Sequence, residues 1–528
     1  MPTQSSRRQF VRNAAAASFT ALLPEGVFSQ SPAAQTVVVR TNAEIGTVRP
    51  ELHSHFAEHL GSCVYGGLWV GKDSPIPNVN GYRKAAVDAL RELGIPVLRW
   101  PGGCFADNYH WRDGIGPLNK RPKRVNANWA NALEDQTFGL HEFIGLCRLI
   151  GAEPYLSVNV GSGTPQEALD WIEYCNFPSG SALAEERAAN GSPDPFKVRY
   201  WGVGNEAWGC GGNMLPDHYA DVYRTYATYM KTFGGVRPFL IACGPSGDDQ
   251  RWTRGFFDRM TGGRPGAFAM HYYEGGNMFP TEFTREESDR QLSIFQRVEQ
   301  AIVNQRALID SYNPQRGPSP AGGQPRPPVA LLLDEWGVWD RMRPEEQKNY
   351  GQLWQQSTMR SAVAAGLGLS IFNRHADKLY MCNIAQIVNV LQSVLLTDGP
   401  QGRNCVKTTT YHAFAMFKPH RSRTAVKVDS GAPGPLDLSV SASKSGSGLV
   451  VSFVNPKHNA DMRIECILDG KTAQGATARI LSHKDLNAAN TFESPNAITP
   501  QAHPVQASGS TVKLDLPAMS IATVTVQV

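Results

Sequence analysis

Two glutamates, each just beyond a short apolar run, are where this sequence could do chemistry. Tyr200-Trp201-Gly202-Val203 leads into Asn205-Glu206 within RYWGVGNEAWG (199 to 209), with Gly204 and Gly209 on either side. ALLLDEWGVWD (330 to 340) repeats the arrangement: apolar residues, then Asp334-Glu335, then aromatics. A carboxylate at the C-terminal end of a strand stands where parallel α/β barrels carry their catalytic groups. One such pair would pass for an ordinary strand-to-helix turn. Two, half a barrel apart, make a candidate carboxylate pair for cleaving glycosidic bonds.

Other residues could serve the same site. In LRWPGGCFADNYHWRDGIGP (98 to 117), Arg99 sits near a strand end, and Pro101-Gly102-Gly103 forces a sharp turn that brings backbone close to a ligand. An arginine there can be a barrel salt bridge, or it can orient a glutamate nucleophile and pair with its charge. His271 and Tyr273 lie two apart on a strand and so share a face, from which the tyrosine hydroxyl could hold a carboxylate in position. Trp208 and Trp339 follow the two glutamates, where they stack on sugar faces or simply pack. Glu58 could accept hydrogen bonds from sugar hydroxyls. With His55 and His59 it does not form an HExxH motif, and no metal site is expected.

Positioning such groups takes a regular scaffold. Eight apolar stretches read as strands: 51 to 61, 95 to 103, 153 to 163, 200 to 203, 238 to 245, 267 to 276, 329 to 336 and GLSIFNRHA at 368 to 376. Helical spacing falls between them, as at Gly81 to Leu93 and Phe138 to Ile150. This alternation predicts a (β/α)8 TIM barrel over residues 51 to 399. The Pro/Gly-rich segment 313 to 328 reads as a surface loop. From about residue 400 to 528, short alternating strands separated by Gly, Ser, Asn and Pro predict an antiparallel β-sandwich, jelly-roll-like. The alternating stretch 36 to 50 is expected to join that sandwich rather than the barrel.

The chain has 528 residues, 41% hydrophobic and 19% charged, enough for a barrel and a second domain. A formal net charge of +4 with no basic stripe argues against a nucleic-acid partner. Nine cysteines, an odd number with no CxxC pair, suggest unpaired thiols and folding in a reducing compartment. Export would then follow folding. Ser6-Arg7-Arg8-Gln9-Phe10-Val11, a weakly apolar run from Ala14 to Leu23 and small residues around Ala33-Ala34 read as a twin-arginine signal peptide over residues 1 to 35. The expected destination is the periplasm or the medium, with no membrane attachment after cleavage.

RWPGGCFADNYHWRDGIGP, FGLHEFIGLCRLIGAEPYLSVNVGSG, EYCN, YWGVGNEAWG, DEWGVW and NIAQIVNVLQ, in this order, resemble glycoside hydrolase family 51, mainly α-L-arabinofuranosidases. The resemblance runs from about residue 50 to the C-terminus. It implies a barrel with a C-terminal sandwich, and a retaining mechanism without metal or organic cofactor. It also implies exo-action on terminal arabinofuranosyl groups of arabinan or arabinoxylan, and homo-oligomers such as hexamers. By motif, Glu206 would be the acid/base and Glu335 the nucleophile. Glu58, Arg99, Asn205, His271, Tyr273 and Gln386 would line the subsite for the sugar ring. The residue after Pro-Gly-Gly is often Asn in this family; here it is Cys104, whose thiol hydrogen-bonds poorly and is expected to contribute little. The rival readings are an endoglucanase or xylosidase on the same scaffold, and a carbohydrate-binding protein without catalysis. The second has no need of both glutamates.

The leader supplies a test. Arg7→Lys combined with Arg8→Lys holds the precursor in the cytoplasm, and periplasmic or secreted activity at the wild-type level would rule the signal out.

Overall fold

The barrel strands are buried along most of their length, as expected where helices cover one face of a parallel sheet and side chains fill the other. The computed structural model describes residues 34–260, 264–312, 327–431 and 434–528. The twin-arginine stretch and most of the 313 to 328 segment lie outside these. After β1 (Gln35–Thr47), the strands β2 (Ser54–Phe56), β3 (Val97–Trp100), β4 (Glu153–Val158), β5 (Tyr200–Val203), β6 (Phe239–Ser246), β7 (Ala267–Gly275), β8 (Ala330–Trp339) and β9 (Leu379–Ala385) follow in the chain. β2 to β9 pair in sequence order, all parallel, and β9 closes onto β2. Val97, Tyr155, Tyr200, Ile241, Ala267, Leu332 and Met381 form one buried apolar cluster contributed by seven of these strands.

Helix signals in the sequence act as they should. α1 (Lys84–Leu93) ends on Gly94 at φ +70°, and α2 (Leu140–Ile150) on Gly151 at φ +76°, both left-handed caps that glycine adopts without strain. α3 (Pro165–Asn176) starts with proline in its first turn and with the Thr164 hydroxyl accepting from the Glu167 amide at 3.1 Å.

The eighth strand is not where the sequence pattern puts it. Residues 368 to 376 fall largely in a helix, α4 (Met359–Arg374), and the eighth strand is β9. All but the last residue of α4 are buried. Phe372 meets Trp336 of β8 at 4.9 Å between ring centroids, while a Cβ on Gly366 would come within 2.8 Å of Ile521 in the sandwich. A helix covered on every side has no polar face, so the 3.6-residue period that would identify it is missing.

The sandwich strands are β10 (Thr424–Asp429), β11 (Ser439–Ser445), β12 (Gly448–Asn455), β13 (Met462–Leu468), β14 (Gly475–Ser482), β15 (Gln501–His503), β16 (Gln506–Ser508), β17 (Thr511–Leu516) and β18 (Ser520–Gln527). They order as β15-β14-β18-β12-β11-β10-β1-β13-β17-β16. β1 thus sits mid-sheet, antiparallel to β10 and parallel to β13, with Val37 and Val39 in the sandwich core beside Val451 and Phe453.

Two buried histidines set an acid limit on this fold. His420 is held between the hydroxyls of Ser443 and Ser452, each at 2.8 Å, and burial with Arg423 nearby pushes it down to about 3. Burial and Arg421 do the same to His55. The unfolded chain binds these protons from about pH 6.5 downward while the folded chain refuses them. The stabilisation is therefore complete above pH 6.5 and is lost as pH falls from there towards 3. In denaturant titrations, His420→Gln should cut the fall in unfolding free energy between pH 6.5 and 5 by about 2 kcal/mol. An identical pH slope in wild type and variant would refute this.

Candidate functional site

The site is assembled around Arg99, which leaves β3 with a side chain 1% exposed. Its Nη1 donates to Glu335 Oε1 and its Nη2 to Asn205 Oδ1, both at 2.6 Å. Its Nε lies 3.5 Å from Asp334 Oδ2, and its guanidinium lies over the Phe56 ring at 4.6 Å. Asp334 also accepts from the Tyr155 hydroxyl at 2.6 Å and from the Asn383 amide at 3.2 Å. Strict alternation would send Asp334 and Glu335 to opposite faces of β8. The pairing slips by one residue there, from Met270↔Leu333 to His271↔Glu335. Such an insertion re-aims side chains, and both carboxylates reach one arginine.

Glu335 is buried, which alone would raise its pKa. His271, Arg99 and the Tyr273 hydroxyl outweigh burial and hold it below the usual carboxylate range. Tyr273 donates to Oε2 at 2.6 Å. His271 donates through Nδ1 to Glu206 Oε1 at 3.0 Å, with Glu335 Oε2 3.7 Å from the same nitrogen. Burial works against the His271 charge, yet the two glutamates leave its pKa raised. The nearest oxygens of Glu206 and Glu335, with the histidine nitrogen, all lie within 4.8 Å of one another.

Glu206 follows β5 on a turn at φ +40°, a left-handed conformation that a non-glycine residue holds only when its surroundings dictate it. The surroundings do. Buried Asp107 accepts from the amides of Val160, Gly161 and Asn205 at 2.8, 3.1 and 2.9 Å. The amides of Gly209 and Gly211 close back on the Glu206 carbonyl. Gly211 has no room for a side chain, since a Cβ would fall 1.8 Å from the Asn205 carbonyl oxygen. Glu206 itself is more open than Glu335, with side chains 20% and 7% exposed.

Cys104 is not a free thiol. It is disulfide-bonded to Cys210, with Cα atoms 5.5 Å apart. This corrects the expectation of nine unpaired cysteines; the other seven are free and, except for half-buried Cys405, buried. The partners lie 106 residues apart, on the loops after β3 and β5, so no spacing motif could announce the bond. The Sγ atoms of Cys104 and Cys210 lie 3.9 and 3.4 Å from Glu206 Oε2. Bridged sulfurs carry no proton, so these are contacts rather than hydrogen bonds. The expectation that Cys104 contributes little through a weak thiol therefore falls away.

On the opposite side, Glu58 accepts from the Phe105 amide at 3.0 Å, the Gln386 amide at 3.2 Å and the Trp129 indole at 2.9 Å. Burial and the nearby Glu335 push Glu58 up to about 7. Trp129 was not legible as a site residue; it sits between the short paired strands Arg124–Asn126 and Ala132–Glu134, an insertion after β3 without a chemical motif. Trp208 donates to the Gly244 carbonyl at 3.0 Å, and Trp339 meets Tyr273 edge-on at 5.5 Å. His55 stays in the core against Phe414, and His59 donates to Glu134 while accepting from Trp100, so neither joins this cluster. Asp334, Asp107, Trp129 and Cys210 are the neighbours that motif reasoning missed. Only Asp334, adjacent to Glu335, left a sequence signal.

Known proteins resemble this chain over most of its length. A family model described as "Alpha-L-arabinofuranosidase 1 domain" matches residues 89–291, and one described as "Alpha-L-arabinofuranosidase C-terminal domain" matches residues 334–520. An "Intracellular exo-alpha-L-arabinofuranosidase" of Bacteroides ovatus is 40% identical over 96% of this chain and 98% of its own. Among solved structures, a GH51 arabinofuranosidase from Xanthomonas axonopodis pv. citri aligns with a TM-score of 0.87 at 38% identity, over 93% of this chain and 99% of the other. An α-L-arabinofuranosidase from Thermotoga maritima, in an arabinose complex, aligns at 0.79 and 29% identity, over 94% and 100%.

The Arg99 network has a measurable consequence. Asp334→Ala leaves the Tyr155 hydroxyl without an acceptor and removes the counter-charge 3.5 Å from the buried Arg99 Nε, and should cost about 3 kcal/mol of stability in chemical unfolding. A loss below about 1 kcal/mol would mean Asp334 is dispensable to the network.

Proposed function

The chain belongs to the α-L-arabinofuranosidases of glycoside hydrolase family 51, and from that premise we propose a retaining, exo-acting mechanism in which Glu335 attacks and Glu206 moves the proton. The observation that carries this reading is the close approach of the two carboxylates, oxygens within 4.8 Å. Retaining glycosidases hold their carboxyl groups roughly 5 Å apart, because one must reach the anomeric carbon itself rather than leave room for a water.

Their surroundings divide the labour. Glu335 is pinned by Arg99 and Tyr273 and kept ionised, which suits a nucleophile. Glu206 is the more open of the two and meets His271 but no arginine, which suits a group that faces the leaving oxygen and later an incoming water. In the first step Glu335 displaces the aglycone from the anomeric carbon while Glu206 protonates the departing oxygen. In the second, Glu206 takes a proton from water, which releases the sugar with its configuration restored. Glu58, Gln386, Asn205 and Trp129 surround the space in which the furanose ring would sit.

The exo mode is supported by the name of the Bacteroides relative, and arabinan or arabinoxylan side chains are the proposed substrates. We also propose export through the twin-arginine signature at Arg7-Arg8, although that relative is named intracellular.

Azide separates the two roles. Glu206→Ala still forms the covalent intermediate from aryl arabinofuranosides with acidic phenols, which leave without a proton. Azide then makes the second of two inversions, so the product is the α-furanosyl azide. Glu335→Ala has no nucleophile, so azide attacks once and gives the β anomer. Proton NMR identifies each product, and anomers exchanged between the variants would reverse the assignment.

A further inference from the structure

We propose that the Cys104–Cys210 bridge masks a zinc-binding site: once reduced, its two sulfurs and the Glu206 carboxylate form a three-ligand site for a soft divalent cation. Two of the three donors touch Glu206 already, at 3.4 and 3.9 Å, and the three ligand atoms lie within 4.8 Å of one another. Among the described residues this is the one metal-competent cluster that contains cysteine. Two thiolates and a carboxylate select Zn2+ or Cd2+ over Mg2+ or Ca2+, with Zn–S of about 2.3 Å and Zn–O of about 2.0–2.2 Å.

The mask can be lifted. Cys210 is exposed, so a small dithiol can reach its sulfur. The dithiol supplies two electrons and two protons. The Sγ–Sγ bond breaks, two thiols form, and the reductant closes to its own disulfide. A metal ion entering afterwards displaces the thiol protons to solvent.

The two loops do not need the disulfide to stay together. The Asn128 amide donates to the Cys104 carbonyl at 3.0 Å. Asp107 anchors Asn205 to the loop after β4, and Gly209 and Gly211 close on the Glu206 carbonyl. Reduction therefore leaves the sulfurs near each other, where the departing bond has made them free to spread around an ion.

Metal bound here occupies the carboxylate that the proposed mechanism needs for proton transfer, so the inhibitory part of the inference rests on that reading, while metal binding itself does not. The bridged enzyme keeps Glu206 free; the reduced enzyme loses it to zinc.

Co2+ tests binding without reference to activity, since thiolate ligation gives it a charge-transfer band in the near ultraviolet. The whole enzyme, reduced with a phosphine that does not itself chelate and freed of metal, should show that band on adding Co2+. The oxidised enzyme and reduced Cys210→Ser should not. Zn2+ should displace Co2+ and lower turnover of an aryl α-L-arabinofuranoside at least roughly tenfold in the reduced wild type alone, reversibly on chelation. No band in the reduced wild type, a band of equal strength in Cys210→Ser, or equal zinc inhibition of oxidised and reduced enzyme would overturn the proposal. The last would place the ion on Glu206, His271 and Glu335 instead. A band with no loss of turnover would keep the metal site and sink the acid/base role of Glu206. If Cys210→Ser fails to fold, the comparison of oxidised and reduced wild type still decides.

Discussion

A buried guanidinium needs company, and the centre of this protein is arranged to give Arg99 that company. Taking its charge out of water costs several kcal/mol, recovered only by close, well-aligned counter-charges. Glu335 from β8 and the Asn205 amide oxygen beyond β5 accept its protons, and Asp334 adds a second negative charge 3.5 Å from Nε. Two carboxylates against one arginine leave surplus negative charge, which Tyr155, Tyr273 and Asn383 meet with hydroxyl and amide protons. This polar layer lies beyond the apolar cluster that fills the barrel. Neither layer tolerates much movement of β3, β5 or β8, so the fold and the electrostatics of the site constrain each other.

The same network makes two glutamates unequal. Glu335 is fixed on its strand by charge, and its ionisation follows from what touches it. Glu206 is fixed by backbone instead. Its left-handed turn is held by Asp107 and by the Gly209 and Gly211 amides that close on its carbonyl. Asp107 is itself buried deeply enough that its pKa is pushed up to about 7, against the pull of the three amides it accepts from. Through those three amides the carboxyl positions the turn that carries Glu206.

Much of this was legible in the sequence, and the failures have physical causes. Seven barrel strands could be found because their apolar runs are bounded by turns and end on residues with chemistry. The eighth could not, because α4 is buried on every side and reads as apolar in any register. His271 and Tyr273 were visible because strand alternation puts them on one face, and Arg99 because it stands near a strand end ahead of Pro101-Gly102-Gly103. Asp334 stood in view beside Glu335, but alternation sends it to the opposite face, and the register slip that brings both carboxylates to Arg99 leaves no mark in the sequence. Cys210 was beyond reach for a different reason: its nearness to Cys104 is a product of strand order in the sheet, which sets the ends of β3 and β5 on either side of β4.

Barrel closure explains how a furanose would be told from its competitors on the proposed assignment. Glu58 is 2% exposed and already accepts from an indole, a backbone amide and a side-chain amide. Those donors come from the hairpin after β3, the turn after β3 and the residue following β9. They fix the carboxyl so firmly that it cannot turn to suit a misplaced hydroxyl. A sugar that offers no hydroxyl there leaves the remaining lone pair of Glu58 Oε2 without a donor, a penalty larger than the gain from a single added contact. Selectivity on this view comes less from attraction to the right ring than from the cost that a rigid, desolvated carboxyl imposes on the wrong one.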